Sequence, residues 1–311
     1  MHPNERFVAP KATTSRNLLI GLVVVIIVIG TIVGALIVLP HGPSTTTVST
    51  GILGSPINST LYQELTGVSF TTLSTIGSGG TNVSPPNSIS STPLTNGSKP
   101  EILYIGAEFC PYCAAERWAL VVALSKFGNF SGLEYMQSAD DDPPPAGIPT
   151  LTFVNATYNS KYLSFVTVEN EDRNHNTLQV PNGAQETLWN ELNPSAYPFV
   201  DLGGQYDLTT AQYPYSDLLG LNWTQVGSQL NNASSPTAQV IDGAANTLIG
   251  AICDLTNHAP SSVCSQSYLS TITVAYTAAP STASVSGALQ AIPVIQPENG
   301  AAAGRVGKST L

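Results

Sequence analysis

Apolar and polar positions divide the chain into regimes of different rhythm. Leu18 to Leu39 is an uncharged apolar run of the ~20 residues that cross a bilayer as one helix. From residue 40 to Lys99 the chain turns to Ser, Thr, Gly, Asn and Pro, with a short apolar patch between Gly51 and Phe70, and reads as a linker over 40–99. Structured spacing resumes at Pro100 and continues to about Thr277. Residues 278–311 return to Ala, Ser, Gly and Pro and read as a low-complexity tail.

Within 100–277 the pattern predicts an α/β domain. Ile102, Leu103, Tyr104 and Ile105 form the continuous apolar run of a central strand. AAERWALVVALSKFG then places Trp118, Leu120, Val121, Val122, Leu124 and Phe127 at helical spacings, with Gly128 where a helix C-cap is wanted. Leu133 to Gln137 reads as a second parallel strand, TLTFV and YLSFVTVE as a hairpin, and 215–230 and 238–255 as helices. Tyr197-Pro198 opens a four-residue strand, a Gly-Gly turn and a returning strand.

Charge sets orientation and excludes some functions. Only 10% of the 311 residues are charged, against ~25% in an average soluble protein. The net charge of −10 excludes a nucleic-acid binder, which needs clustered Lys and Arg. Arg6, Lys11 and Arg16 precede the apolar run and no cation follows it until Lys99, so the positive-inside rule puts residues 1–17 in the cytoplasm and the rest outside the cell membrane. A cleaved signal peptide is the competing reading, but residues 18–39 exceed the usual 7–15 apolar residues of one. The 100–277 segment carries 17 acidic and 4 basic side chains. Beyond the span, Asn58, Asn82, Asn96, Asn129, Asn155, Asn222 and Asn232 begin Asn-x-Ser/Thr sequons, glycosylation acceptors if the chain is exported to a glycosylating surface.

Chemistry concentrates where the predicted strand meets the predicted helix, at Cys110-Pro111-Tyr112-Cys113. A thiol at the first turn of a helix faces unpaired backbone N–H groups and the positive end of the helix dipole, which stabilise its thiolate. Cys110 is therefore the expected nucleophile and Cys113, one turn inside, the resolving thiol. Pro111 suits the first helical position. Glu108 stands two residues before Cys110 and would oppose thiolate formation if ionised. The other readings are half of a zinc site, a structural Cys110–Cys113 bond, or soft-metal delivery. No second close Cys or His pair accompanies CPYC, since His175 and His258 stand alone and Met occurs only at Met1 and Met136. A loop so short gains little stability from closure. Cys253 and Cys264, separated by ten intervening residues on the oxidising side of the membrane, are expected to form a structural disulfide, a second redox relay being the alternative. Asp140, Asp141, Asp142, Glu169, Glu171 and Asp172 read as solvated charges.

Glu101 to Phe127, with its CPYC, resembles the thioredoxin superfamily. GAEFCPYCAAERWALVVALSKFGNFSGL, TFVNATYNSKYLSFVTVE, YPFVDLGGQY and AICDLTNHAPSSVC resemble a prokaryotic, mainly archaeal, family of membrane-anchored thioredoxin-like proteins catalogued as a domain of unknown function. The resemblance implies a thioredoxin-like domain with an inserted elaboration at 139–196, carried on a single N-terminal transmembrane helix. It also implies a cis-proline facing the dithiol, with Pro198 preferred to Pro149 for its better-formed hairpin. The expected activity is thiol–disulfide exchange on exported proteins, with a membrane redox partner to reset the site and with neither cofactor nor metal. The alternative is a non-catalytic surface glycoprotein or binding module that keeps the fold and a static disulfide.

Overall fold

Ile102, Leu103, Tyr104 and Ile105 have no exposed surface at all, because the strand that carries them is covered on both faces. The computed structural model describes residues 50–140 and 147–274. In chain order it has helices α1 (Ser59–Thr66) and α2 (Phe70–Ile76), strands β1 (Asn87–Ser88), β2 (Thr95–Asn96) and β3 (Lys99–Gly106), and helix α3 (Pro111–Leu124). Five strands follow: β4 (Gly128–Ser131), β5 (Glu134–Gln137), β6 (Pro149–Thr152), β7 (Thr157–Ser160) and β8 (Ser164–Glu169). The order ends with α4 (Gly183–Leu192), β9 (Phe199–Leu202), β10 (Tyr206–Leu208), α5 (Trp223–Gln229), α6 (Pro236–Leu255) and α7 (Ser261–Cys264). The result is a mixed α/β fold around one principal sheet.

In that sheet β3 is central. It pairs parallel with β8, Ile102 opposite Phe165 and Gly106 opposite Glu169, and antiparallel with β9, which pairs antiparallel with β10. Alternation along β3 sends Ile102 and Tyr104 into the large core under α3 and α6, and Leu103 and Ile105 into a smaller one with Val168, Phe199 and Trp189 of α4. Full burial of each such side chain contributes about 1.5–3 kcal/mol. Trp118 fixes α3 by donating its indole N–H to the Pro149 carbonyl at 2.8 Å.

Several expectations are corrected. Residues 50–99 are not a linker: Leu61, Leu65, Val68 and Leu73 are buried in the large core. The abundant polar residues that suggested a linker work as helix caps there, Asn58 accepting from the Leu61 N–H and Ser69 from the Thr72 N–H. The parallel neighbour of β3 is β8, not Leu133 to Gln137, whose β5 pairs antiparallel with β6 in a separate two-stranded sheet. TLTFV and YLSFVTVE therefore form no hairpin with each other, since β6 and β8 serve different sheets. Residues 215–230 divide at Gly220 (φ +75°) into a 3₁₀ turn, Tyr215–Leu218, and α5. Helix α3 ends at Leu124, and Gly128 instead opens β4. The expected helix over 238–255 is α6, capped by Ser235 with Pro236 at its first position.

The transmembrane reading of 18–39, the tail at 278–311 and the acidic Asp141 and Asp142 lie outside the described residues. Among the described residues no helix is long and apolar enough to cross a membrane.

Candidate active site

Strand β3 delivers the chain through Gly106 and Ala107 to Cys110, which is the N-cap residue of α3, with Pro111 in the first turn. A cap residue leaves the helical conformation (φ −72°, ψ 121°) so that its side chain can accept a bond from the first turn. Here the acceptor is sulfur: the Cys113 N–H donates to Cys110 Sγ at 3.3 Å. Both cysteines are free thiols, Cys110 5% exposed and Cys113 fully buried, and with Ala107 they form a small apolar cluster contacted by Phe109 and Tyr197.

The two thiols are differentiated. The Cys113 side chain donating to Cys110 holds the latter below the usual thiol range against the opposing cost of burial, helped by the Cys113 N–H, the Arg117 charge and the Tyr112 N–H. Burial drives Cys113 well above that range, and the bond it gives to Cys110 adds to the rise. The first cysteine is thus the better thiolate and the second the shielded partner.

A second wall comes from distant sequence. The Tyr197–Pro198 bond is cis, as is Ala259–Pro260, while Pro149 opens β6 without a cis bond. Tyr197 lies against the thiol cluster and is held by a stack on Trp189 with ring centroids 5.2 Å apart. Its hydroxyl accepts from Asn170 Nδ2 at 2.5 Å and donates to Glu171 at 3.1 Å. The Glu108 N–H donates to the Glu171 carbonyl and the Ala139 N–H to the Phe109 carbonyl, tying the turn before Cys110 to both flanks. On the solvent side Tyr112 is 41% exposed and meets Tyr215 edge-on, while Phe109 packs on His175.

Beneath the thiols lies a feature the residue pattern hid. Arg117 Nε and Nη2 bond the two oxygens of Glu169 at 3.0 and 2.6 Å, Nη2 also donates to the Ala107 carbonyl at 2.9 Å, and both side chains are wholly buried. Glu169 is therefore not a solvated charge. The available signal was a cation four residues beyond Cys113, on a helix that, Glu116 apart, is otherwise apolar from Ala114 to Leu124. Glu108 accepts from Thr152 Oγ1 at 2.7 Å, and burial raises its pKa. Asp140 pairs with Arg173 at 3.1 Å, and Asp172 accepts from Asn174 and Asn176 to close an exposed turn.

Cys253 and Cys264 form a disulfide joining the end of α6 to α7, with Cα atoms 5.5 Å apart. Six sequon asparagines (Asn58, Asn82, Asn96, Asn129, Asn155 and Asn232) are exposed, and Asn222, which caps α5, is half-buried. Among the described residues no group of three or more His, Cys, Asp or Glu is placed to hold a metal ion.

The chain thus presents a mixed α/β fold with two inequivalent thiols at the start of its central helix. Residues 85–198, from just before β1 to the cis-proline, match the model of the family described as Domain of unknown function (DUF929). No curated protein and no solved structure matches the chain.

Proposed function

We propose that this protein is a thiol–disulfide oxidoreductase anchored in the cell membrane, with its thioredoxin-like domain outside, exchanging disulfides with exported proteins through Cys110 and Cys113. The carrying observation is Cys110 at the N-cap of α3, its sulfur accepting the Cys113 N–H while Cys113 stays fully buried. A thiolate held by helix-terminal N–H groups is what attack on a substrate disulfide requires, and a shielded second thiol is what releases the product.

The finer fold reading is supported by the strand order β8-β3-β9-β10, with β8 parallel to β3 and the other neighbours antiparallel. It is further supported by α3 and α4 burying opposite faces of β3 and by the cis bond before Pro198 at the start of β9. β4 to β7 are then the elaboration. Export is supported by the charge asymmetry around residues 18–39, by the Cys253–Cys264 disulfide and by sequon asparagines that lie at the surface. A second reading, a non-catalytic surface module, is favoured by the 5% exposure of Cys110, which narrows the approach of a protein substrate.

A trapping experiment separates the two. Full-length Cys113→Ser in detergent, mixed with an unfolded disulfide-bonded protein, is expected to accumulate a mixed disulfide at Cys110, resolved on non-reducing gels and mapped by mass spectrometry. Absence of that adduct, with the wild-type chain equally inert, supports the module and defeats the oxidoreductase.

A further inference from the structure

Exchange by a CPYC dithiol passes through a buried negative charge, and the oxidoreductase reading makes that charge Cys113's problem. From the mixed disulfide, Cys113 must give its proton to water, and its thiolate must attack Cys110 Sγ. The Cys110–Cys113 bond forms and the bond from Cys110 to substrate breaks. The substrate sulfur leaves with the electron pair and takes a proton from water, so two electrons have passed from the dithiol to the substrate. The cost falls on Cys113, which has no exposed surface where water could solvate its thiolate.

One fixed cation stands close enough to matter. Arg117 follows Cys113 by four residues on α3, so the two share a helix face, and helical side chains lean back over the preceding turn toward the N-terminus. The guanidinium is anchored there by the Ala107 carbonyl, and Ala107 belongs to the same buried apolar cluster as the two cysteines. Its bonds to Glu169 use Nε and Nη2, while Nη1 is buried without a partner. A buried Nη1 with no acceptor is costly unless something negative arrives. The Glu169 carboxylate comes from the end of β8, the Tyr104 ring of β3 lies 5.7 Å from the guanidinium carbon, and the buried Glu108 carboxyl also stands within the influence of Arg117 and Glu169. The Arg117 charge is among the influences on both thiols, lowering each, and the burial of the pair keeps that field unscreened.

We infer that Arg117 is a positioning residue for the dithiol, its buried guanidinium holding the thiolate charge of Cys110 and Cys113 during exchange, with Glu169 fixing its orientation and limiting its field. The inference rests on the oxidoreductase reading for its purpose, but its physical content is readable without turnover.

The test is pH-dependent alkylation of Cys110 by iodoacetamide in the full-length reduced chain, mapped by mass spectrometry, together with equilibration against glutathione. In Arg117→Met/Glu169→Gln, which removes both charges and leaves no buried ion unpaired, Cys110 alkylation at pH 6 should slow about tenfold and its midpoint should move up. The dithiol's equilibrium constant should move about tenfold toward the disulfide, a potential about 30 mV lower. Glu169→Gln alone leaves the cation unopposed and should move the midpoint down. A purely structural pair would not shift the two variants in opposite directions. Midpoints and equilibrium constants equal to wild type in the double variant overturn the inference. So does a midpoint that fails to fall in Glu169→Gln, which serves if the double variant does not melt cooperatively. Failure of the wild-type chain to exchange disulfides would instead defeat the oxidoreductase reading, and the alkylation profiles would still report on Arg117.

Discussion

Cys110→Ser abolishes the proposed exchange, lowering its rate by at least about three orders of magnitude, because a serine hydroxyl does not ionise near neutral pH and oxygen forms no disulfide. The substitution leaves the fold in place, since a Ser at the N-cap accepts the Cys113 N–H at least as well as sulfur does. An unchanged melting temperature with complete loss of exchange is the expected pair of results. The pH profile of the wild type carries the same logic. Cys110 has its pKa lowered chiefly by the bond from Cys113, so its reactivity should persist below the pH at which an ordinary thiol fades, then fall as pH drops through the lowered value. Exchange kinetics at several pH values, with alkylation of Cys110 followed in parallel, check both. Retention of exchange in Cys110→Ser would remove CPYC from the chemistry altogether.

The second large effect is on stability and concerns two buried carboxyls, Glu116 one turn beyond Cys113 and Asp242 on α6. Glu116 on α3 and Asp242 on α6 are both fully buried in the packing between helices. Glu116 accepts the Gln212 N–H through one oxygen at 2.9 Å, its other oxygen lacks a partner, and neither oxygen of Asp242 has one. Burial pushes Glu116 up to about 8 despite the Gln212 bond, and Asp242 up to about 8 despite the nearby Lys126 charge. A carboxyl whose folded pKa exceeds its unfolded value of ~4 holds its proton more tightly in the native state. Its favourable contribution is complete below pH ~4 and is lost progressively as pH rises toward 8. By pH 7 the loss is up to about 4 kcal/mol for each group, against a typical total of about 5–15 kcal/mol.

The groups facing them do not cancel this trend. Lys126, lowered to about 8 by burial while donating to the Val68 carbonyl, stays charged in both states below pH 7 and so contributes no slope there. Asp201, pushed up to about 6 by burial, adds to the slope between pH 4 and 6. Tyr213, whose hydroxyl donates to the Ala115 carbonyl, is raised by burial far from this window. The wild-type chain should therefore melt higher at pH 4–5 than at pH 7–8. Glu116→Gln/Asp242→Asn should flatten that dependence and raise the neutral melting temperature by about 10 °C. Equal melting temperatures for the wild type at pH 4 and pH 7 would show that both carboxyls ionise without penalty.

Legibility in the sequence followed locality. The unit from Ile102 through CPYC to α3 was readable because a continuous apolar run, a cap position with proline after it and a helical stripe are all local signals. The β9–β10 hairpin was readable from Gly203 and Gly204, whose positive φ values a tight turn demands. Pairing at a distance was not readable. Leu133 to Gln137 and Ser164–Glu169 are both short and apolar enough for the place beside β3, and only the packing of the whole chain selects the latter. Residues 50–99 misled because composition counts Ser, Thr and Asn as solvent-seeking, whereas Asn58 and Ser69 cap helices whose few leucines all face inward. Charges misled in the same way. Glu169 reads as surface until Arg117 is found beside it, and that partnership spans 52 positions.

The most direct test of the account is a redox titration of the full-length chain in detergent against glutathione. Cys110, Cys113 and the Cys253–Cys264 disulfide are read as separate peptides by differential alkylation. The account predicts reversible two-electron titration of CPYC within the physiological thiol range, Cys110 alkylating before Cys113, while Cys253 and Cys264 stay joined. A Cys110–Cys113 bond that resists reduction until the fold is lost would contradict it and leave a structural or binding domain.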